Sequence, residues 1–138
     1  MKIIISRDFN VPAEDVWRVL EDFGNMSWLS MADISIQVIG EGIGMVRRVS
    51  LNGQYIDERL ESMDKQAKLL TYSIEECELF PFKNYLAQMT VEKVTERKCK
   101  MTWMSDFEEG DMAKEEAESM MTFNYNTMLD SLAIHVES

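Results

Sequence analysis

The stretch that decides the fold is Met112–Val136, with the sequence MAKEEAESMMTFNYNTMLDSLAIHV. At about 100° per residue, as in an α-helix, eight of its side chains lie on one mainly apolar stripe within roughly 80° of Met121. The members of the stripe are Ala117, Met121, Asn124, Tyr125, Met128, Leu129, Leu132 and Val136. An amide and two flexible methionines replace the Leu, Ile and Val of a tight core, which is typical of a wall that faces a cavity. The stretch therefore predicts one long C-terminal helix beside a cavity.

The chain before this helix alternates apolar and polar residues, which predicts β-strands. Asn52-Gly53 is typical of a type I′ hairpin turn, because both central positions of that turn need a positive φ. Strands about ten residues apart with short turns predict an antiparallel meander. The seven predicted strands are Lys2–Phe9, Ile34–Val38, Met45–Leu51, Tyr55–Met63, Lys68–Glu75, Lys83–Val94 and Lys100–Phe107.

Two short helices are predicted between the first and second strands. The first begins near Pro12, carries the acids Glu14 and Asp15 in its first turn and ends at Gly24. The second is expected over Met26–Met31, and Asp111 is expected to cap the final helix.

The order of elements predicts a single α+β domain over residues 1–138 with a helix-grip fold. In this fold a seven-stranded curved antiparallel sheet, two short helices and the long C-terminal helix enclose a cavity. One helix is about 10 Å wide, so it leaves space on the concave face of such a sheet.

The composition excludes several classes of function. The net charge of −11 disfavours binding to nucleic acid and to anionic membranes. Cys77 and Cys99 are far apart and His135 is the single histidine, so we expect no metal, no cofactor and no histidine-based nucleophile site. No apolar run is long enough for a signal peptide or a membrane span, so we expect a cytoplasmic protein. Arg47 and Arg48 stand among acids and are expected on solvated strand faces.

Several motifs resemble the SRPBCC superfamily, also called START-like or Bet v 1-like, and within it most closely the polyketide cyclase/dehydrase-like subgroup. The motifs are Val11–Trp17 followed by Trp28, Gly44–Arg48, Glu58–Asp64, Tyr72–Ile74 and Trp103–Phe107. The resemblance covers essentially the whole chain and implies the same helix-grip fold. Members include lipid carriers, hormone receptors, cyclases and chaperone cofactors, so the resemblance does not define the ligand.

Two segments are also similar to the plant abscisic-acid receptors: Glu58-Arg59-Leu60 and Lys83-Asn84-Tyr85. This similarity implies that Glu58 and Tyr85 line the cavity, with Tyr72 and Ile74 on the intervening strand. The gate loop of the receptors contains a proline, whereas the corresponding turn here has none, and their anchoring lysine has no counterpart. Recognition of abscisic acid is therefore not implied.

Glu58 is the strongest polar candidate from the residues themselves. It shares a predicted strand face with Ile56 and Leu60, so that face is expected to point inward. A carboxyl group in an apolar cavity can act as a general acid or as a hydrogen-bond anchor. The alternative is an ion pair with Arg59 or another arginine at the strand surface.

Aromatic residues supply three further candidates. Tyr72 and Tyr85 can each present a phenol to a ligand carbonyl, or they can be half-buried core residues with a wet hydroxyl. Trp103 shares a strand face with Met101 and Ser105. It is expected to be either a core anchor or a flat wall for a planar ligand.

The helix supplies the remaining candidates. Met120, Met121 and Met128 lie on or beside the stripe, where thioether side chains adapt to irregular apolar ligands or fill gaps in a core. Asn124 lies within the stripe, and a buried amide without a partner costs a few kcal/mol. We therefore expect Asn124 to bond a backbone group, a water or a ligand.

Three functions remain open from the sequence. The first is binding of a small hydrophobic or aromatic molecule for transport or sensing. The second is a cofactor-independent polyketide cyclase or dehydratase, in which Glu58 and Tyr85 move protons. The third is a protein-interaction module with a vestigial cavity. Phe123 and Ile134 lie roughly opposite the helix stripe, which favours contact with a partner such as a second copy.

Overall fold

The computed structural model describes residues 1–31 and 33–138, apart from the side chains at positions 75 and 76. The chain forms nine elements in one order: β1 (Lys2–Phe9), α1 (Ala13–Glu21), β2 (Ile34–Ile39), β3 (Val46–Leu51), β4 (Gln54–Asp64), β5 (Leu69–Cys77), β6 (Lys83–Thr95), β7 (Lys98–Glu108) and α2 (Lys114–Glu137).

The seven strands make one curved antiparallel sheet with the order β1-β7-β6-β5-β4-β3-β2. Consecutive strands from β2 to β7 are neighbours, which confirms the predicted meander. β1 pairs with β7, so the segment containing α1 carries the chain from one edge of the sheet to the other. Two register shifts interrupt the pairing of β4 with β5, between Asp57 and Glu58 and between Leu60 and Ser62. Irregularities of this kind bend a strand locally.

The predicted helix stripe is confirmed by burial. Ala117, Met121, Tyr125, Leu129 and Leu132 are buried, and the other members of the stripe are half-buried. The C-terminal half of α2 is fixed to the β1 side of the domain. There Asp130 Oδ1 accepts a hydrogen bond from Arg7 Nη1 at 2.5 Å, and Glu137 Oε2 accepts one from the Asn10 amide at 2.7 Å.

The predicted short helix over Met26–Met31 is wrong. These residues form a turn, in which the Leu29 amide donates to the Met26 carbonyl at 2.9 Å. Just before it, Oδ1 of Asn25 accepts a hydrogen bond from the Ser27 amide at 3.0 Å. Six residues can form only one or two i→i−4 hydrogen bonds, so a short turn competes with a helix of this length.

The prediction that Asp111 caps α2 is also wrong. The N-cap residue is Ala113, and no side chain in the described part of the chain caps it. Asp111 lies within a turn closed by a 3.3 Å bond from the Met112 amide to the Glu109 carbonyl. At Gly110, which has a φ of +65°, a Cβ would lie only 2.5 Å from the Pro81 carbonyl oxygen. The positive φ of Gly110 is not helical, so α2 begins after this residue.

Candidate ligand-binding cavity

A cavity of about 230 Å³ lies between the concave face of the sheet, the middle of α2 and the turn after α1. Its walls are mainly aliphatic and aromatic. Eight of the predicted site residues line it: Glu58, Tyr72, Ile74, Tyr85, Trp103, Met121, Asn124 and Met128. Met120 does not join them. It is half-buried against the hydrophobic core beside the cavity.

Other lining residues were not predicted as site residues. They come from the turn after α1 (Met26, Leu29, Met31), from the loop after β5 (Leu79, Phe80), from β2 to β4 (Ile34, Val49, Leu51, Ile56) and from α2 (Phe123, Tyr125, Thr127). The alternation that placed Glu58 inward also applies to Ile56, so the lining residues on strands could have been predicted from the sequence pattern. Loop residues have no such period, and their place in the wall depends on how the loops fold over the sheet.

Glu58 combines both of its predicted roles. It lines the cavity and also accepts a hydrogen bond on Oε1 from Nε of Arg47, at 2.7 Å. The two residues are direct register partners on β4 and β3. The side chains are 12% and 7% exposed, so the ion pair is buried rather than on the strand surface.

Arg47 was expected on a solvated strand face, and that prediction is wrong. Its Nη1 donates to the Phe23 carbonyl at 2.9 Å, and its guanidinium carbon lies 3.9 Å from the centroid of the Phe23 ring and 5.3 Å from that of Tyr72. The sequence pattern could have predicted the inward position of Arg47. It lies two residues from Val49 on β3 and so shares a strand face with this cavity-lining residue. Arg48 on the opposite face forms a two-bond pair with Asp57 instead, at 2.7 and 2.9 Å.

The buried aromatic residues hold one another by hydrogen bonds and ring contacts. Trp103 Nε1 donates to the Tyr72 hydroxyl at 3.1 Å, and the hydroxyls of Tyr85 and Tyr125 are hydrogen-bonded to each other. The rings of Trp103 and Tyr125 are stacked, with centroids 4.2 Å apart and planes inclined by 15°. These contacts connect β5, β6 and β7 to α2 and fix the deep wall of the cavity.

Burial changes the acid–base behaviour of two of these phenols. Loss of solvent raises the pKa of Tyr72 well above its ordinary value, and the neighbouring Tyr85 and Glu58 raise it further. Desolvation likewise raises the pKa of Tyr85, and Glu58 again adds to the effect. Both groups therefore remain protonated phenols at neutral pH.

Asn124 presents its side chain to the cavity from α2. Its amide makes no hydrogen bond to any protein group that the structure describes. The side chain is half-buried, so the amide has room for a polar partner within the cavity. Of the three partners expected for Asn124, a backbone group is not found among the described residues, so a water or a ligand stays the prediction.

The cavity reaches solvent where its lining residues are exposed, and these residues define its rim. Three lining residues at this rim are exposed, namely Met31 (40%), Phe123 (71%) and Thr127. Phe123 was predicted on the outer helix face; it is exposed as expected, but it stands beside the opening. Ile134, at 73% exposure, shares no part of the cavity lining. Contact of this helix face with a second copy stays a prediction.

Two other kinds of feature bear on function, namely a metal site and a membrane-spanning helix. Among the described residues, no group of three or more His, Cys, Asp and Glu side chains is arranged to hold a metal ion. Within residues 1–31 and 33–138, neither helix is both long enough and apolar enough to cross a bilayer.

A curved antiparallel sheet that grips a long helix around an apolar cavity defines the helix-grip class of ligand-binding folds. The chain belongs to the family described as polyketide cyclase / dehydrase and lipid transport, whose model matches residues 2–137. This match confirms the resemblance to the SRPBCC superfamily and its polyketide cyclase/dehydrase-like subgroup. No curated protein matches the chain in sequence.

Solved structures agree with this assignment. The chain is similar to an uncharacterized protein from Bacillus thuringiensis, with 25% identity, a TM-score of 0.87 and coverage of 100% of both chains. It is also similar to the protein XoxI from Bacillus cereus, with 26% identity and a TM-score of 0.87 over 99% of this chain and 96% of that one. Norcoclaurine synthase from Thalictrum flavum, a Bet v 1-like protein, shares the fold at 17% identity, with a TM-score of 0.77 over 99% and 93% of the two chains.

Proposed function

We propose that this protein binds a small, mostly apolar molecule, for transport or sensing, in the cavity between the sheet and α2. The observation that carries the proposal is the cavity itself, which is open to solvent at one rim and lined mainly by apolar and aromatic side chains. Sites of this composition gain affinity from their apolar walls and selectivity from a few polar groups. Here Glu58 and Asn124 supply such groups.

The volume limits the size of the ligand. An engineered apolar cavity of about 150 Å³ binds benzene, whereas sites for drug-sized molecules have about 300–1,000 Å³. At about 230 Å³, the cavity fits a molecule of one or two rings or a short branched chain. A molecule with many fused rings is larger than this volume and would fit only if the residues at the rim moved. The open volume also favours binding over an interaction module with a filled, vestigial cavity.

A cyclase or dehydratase is the second candidate, because Glu58 and Tyr85 line the same cavity and the family description includes such enzymes. The raised pKa of Tyr85 makes its phenol a poor proton donor and its phenolate rare at neutral pH. Oε1 of Glu58 is already bonded to Arg47. Both facts favour binding over proton transfer. Turnover with a bell-shaped pH profile that Glu58→Gln abolishes would favour the enzyme instead.

The proposal is tested by filling the cavity. Naphthalene is titrated into the protein and followed by changes in the indole NMR signal of Trp103, assigned with Trp103→Phe. Met128 lines the cavity, so Met128→Trp should occupy the space and weaken naphthalene binding at least tenfold. Met120→Trp is the matched control on the same helix and should change the affinity little. Equal loss in both variants, or no binding to the native chain, would contradict the proposal.

A further inference from the structure

We infer that the ligand of this cavity is a neutral ring compound that carries a hydroxyl or N–H donor, and that Glu58 accepts the hydrogen bond from that donor. The inference rests on the proposed function and names the chemical class of molecule that the site selects. It follows from how the Arg47–Glu58 pair is placed relative to the cavity.

The two members of the pair face different surroundings. Glu58 lines the cavity, whereas Arg47 lies behind it, between the rings of Phe23 and Tyr72, with Nη1 bonded to the Phe23 carbonyl. A ligand that enters from the rim therefore meets the carboxylate and not the guanidinium.

Glu58 retains capacity for a further hydrogen bond. A carboxylate has two oxygens with about four acceptor sites and no donor. Among the groups that the structure describes, Arg47 supplies the one hydrogen bond that Glu58 accepts, through Oε1. The remaining acceptor sites are available to an O–H or N–H group of the ligand. A hydrogen bond to a charged acceptor is stronger than one between neutral groups.

Charge balance favours a neutral ligand. Arg47 and Glu58 together carry no net charge, and both are almost fully buried. An anionic ligand would bring a second negative charge against Glu58, which is unfavourable at close range. A cationic ligand would compete with Arg47 for the same carboxylate and leave one buried positive charge in excess.

The surrounding walls favour a ring. Tyr72, Tyr85, Trp103 and Tyr125 all line the cavity, and Trp103 and Tyr125 are fixed by stacking on each other. Aromatic side chains pack well against planar ligands through offset and edge-to-face contacts. A phenol-like or aryl-amide-like molecule of one or two rings fits the volume of the cavity, packs against its aromatic walls and can donate a hydrogen bond to Glu58.

Three probes of equal ring size test the inference: naphthalene, 2-naphthol and 2-naphthoate. Their dissociation constants are measured by the same NMR titration. We expect 2-naphthol to bind about tenfold to a hundredfold more tightly than naphthalene, because of one hydrogen bond to a charged acceptor. We expect 2-naphthoate to bind more weakly than either.

The variants assign the preference to Glu58. Glu58→Gln alone leaves Arg47 buried without its partner and can unfold the chain, so the double variant Arg47→Met/Glu58→Leu is measured as well. In every folded variant that lacks the carboxylate, the ratio of the naphthalene and 2-naphthol dissociation constants should fall toward one. Glu61→Gln, an exposed position on the same strand, is the control and should keep the native ratio.

The outcomes separate this inference from the proposed function. Equal affinity for naphthalene and 2-naphthol in the native protein overturns the inference alone. Tighter binding of 2-naphthoate also overturns it, since Arg47 would then be the group that meets the ligand. Absence of binding for all three probes overturns the proposed cavity function and the inference with it.

Discussion

Arg47 and Glu58 lie directly opposite each other on β3 and β4, and a 2.7 Å hydrogen bond joins Nε of the first to Oε1 of the second. The next pair along the ladder, Arg48 and Asp57, points to the other face of the sheet. One ion pair thus supports the cavity from inside, and its neighbour stabilises the outer surface. The inner pair gives a mainly apolar cavity one defined polar end.

Removal of one member of the inner pair should strongly destabilise the protein. Arg47→Ala or Glu58→Ala leaves an uncompensated buried charge, which typically costs about 3–5 kcal/mol in the free energy of unfolding. Replacing both, as in Arg47→Met/Glu58→Leu, should cost much less, because no charge is then left buried. Urea unfolding of the two single variants and the double variant measures this coupling.

The outer pair provides the comparison for that experiment. Both Arg47→Ala and Arg48→Ala leave a carboxylate that is 12% exposed, but Arg48→Ala should destabilise the chain less. The Arg47 side chain is 7% exposed against 34% for Arg48, and it also donates to the Phe23 carbonyl. If Arg48→Ala lowers the free energy of unfolding as much as Arg47→Ala or more, then the inner pair is not the more deeply buried of the two.

The buried phenols predict a loss of stability at high pH. Unfolded tyrosines ionise near pH 10, whereas desolvation raises the pKa of Tyr72 and Tyr85 in the folded state. Above about pH 10 the folded state therefore holds more protons than the unfolded state, so the free energy of unfolding falls as the pH rises. Below that pH the contribution of these groups is fully present.

This pH dependence is measured by urea unfolding at several pH values, together with the ultraviolet absorbance of phenolate. In Tyr72→Phe, the free energy of unfolding should fall less steeply with pH, and the slope should correspond to about one proton fewer. The reason is that only one of the two buried phenols then remains. Ionisation of Tyr72 and Tyr85 at the pH of exposed tyrosines, without unfolding, would contradict their burial.

Asn124→Leu should separate stability from binding. The amide bonds no described protein group, so the replacement should change the free energy of unfolding by less than about 1 kcal/mol, or raise it. Affinity for a ligand with a carbonyl or hydroxyl group should fall, and more so when Arg47→Met/Glu58→Leu is added, which removes the carboxylate without leaving a buried charge. Binding curves for 2-naphthol, with unfolding curves for the same variants, measure both effects. Unchanged affinity in the combined variant would exclude Asn124 and Glu58 from the site.

The elements that the sequence predicted well are those with a regular period. Alternation placed Ile56, Glu58 and Leu60 on the inner face of β4, and the helical period placed Met121 and Met128 toward the cavity. The Asn52-Gly53 turn was predicted from its chemistry, and both residues have positive φ angles of 53° and 81°. In each case local physics and the final fold agree.

The features that were missed depend on tertiary structure. Arg47 was assigned to solvent because charge is rarely buried, yet its partner on the next strand and the Phe23 carbonyl compensate for its burial. Leu79 and Phe80 lie in the loop after β5, which has no sequence period, so only the tertiary fold places them in the cavity wall. The Met26–Met31 segment forms a turn closed by the bond from the Leu29 amide to the Met26 carbonyl, because six residues are too few to stabilise the helix that the residue pattern favoured.

Nuclear Overhauser contacts between bound naphthalene and the methyl groups of methionine locate the ligand within the protein. We expect contacts to Met121 and Met128, which line the cavity between α2 and the sheet. Contacts confined to Met45 and Met63, which border a separate surface groove near the end of α1, would place the ligand outside the cavity and overturn its assignment as the binding site.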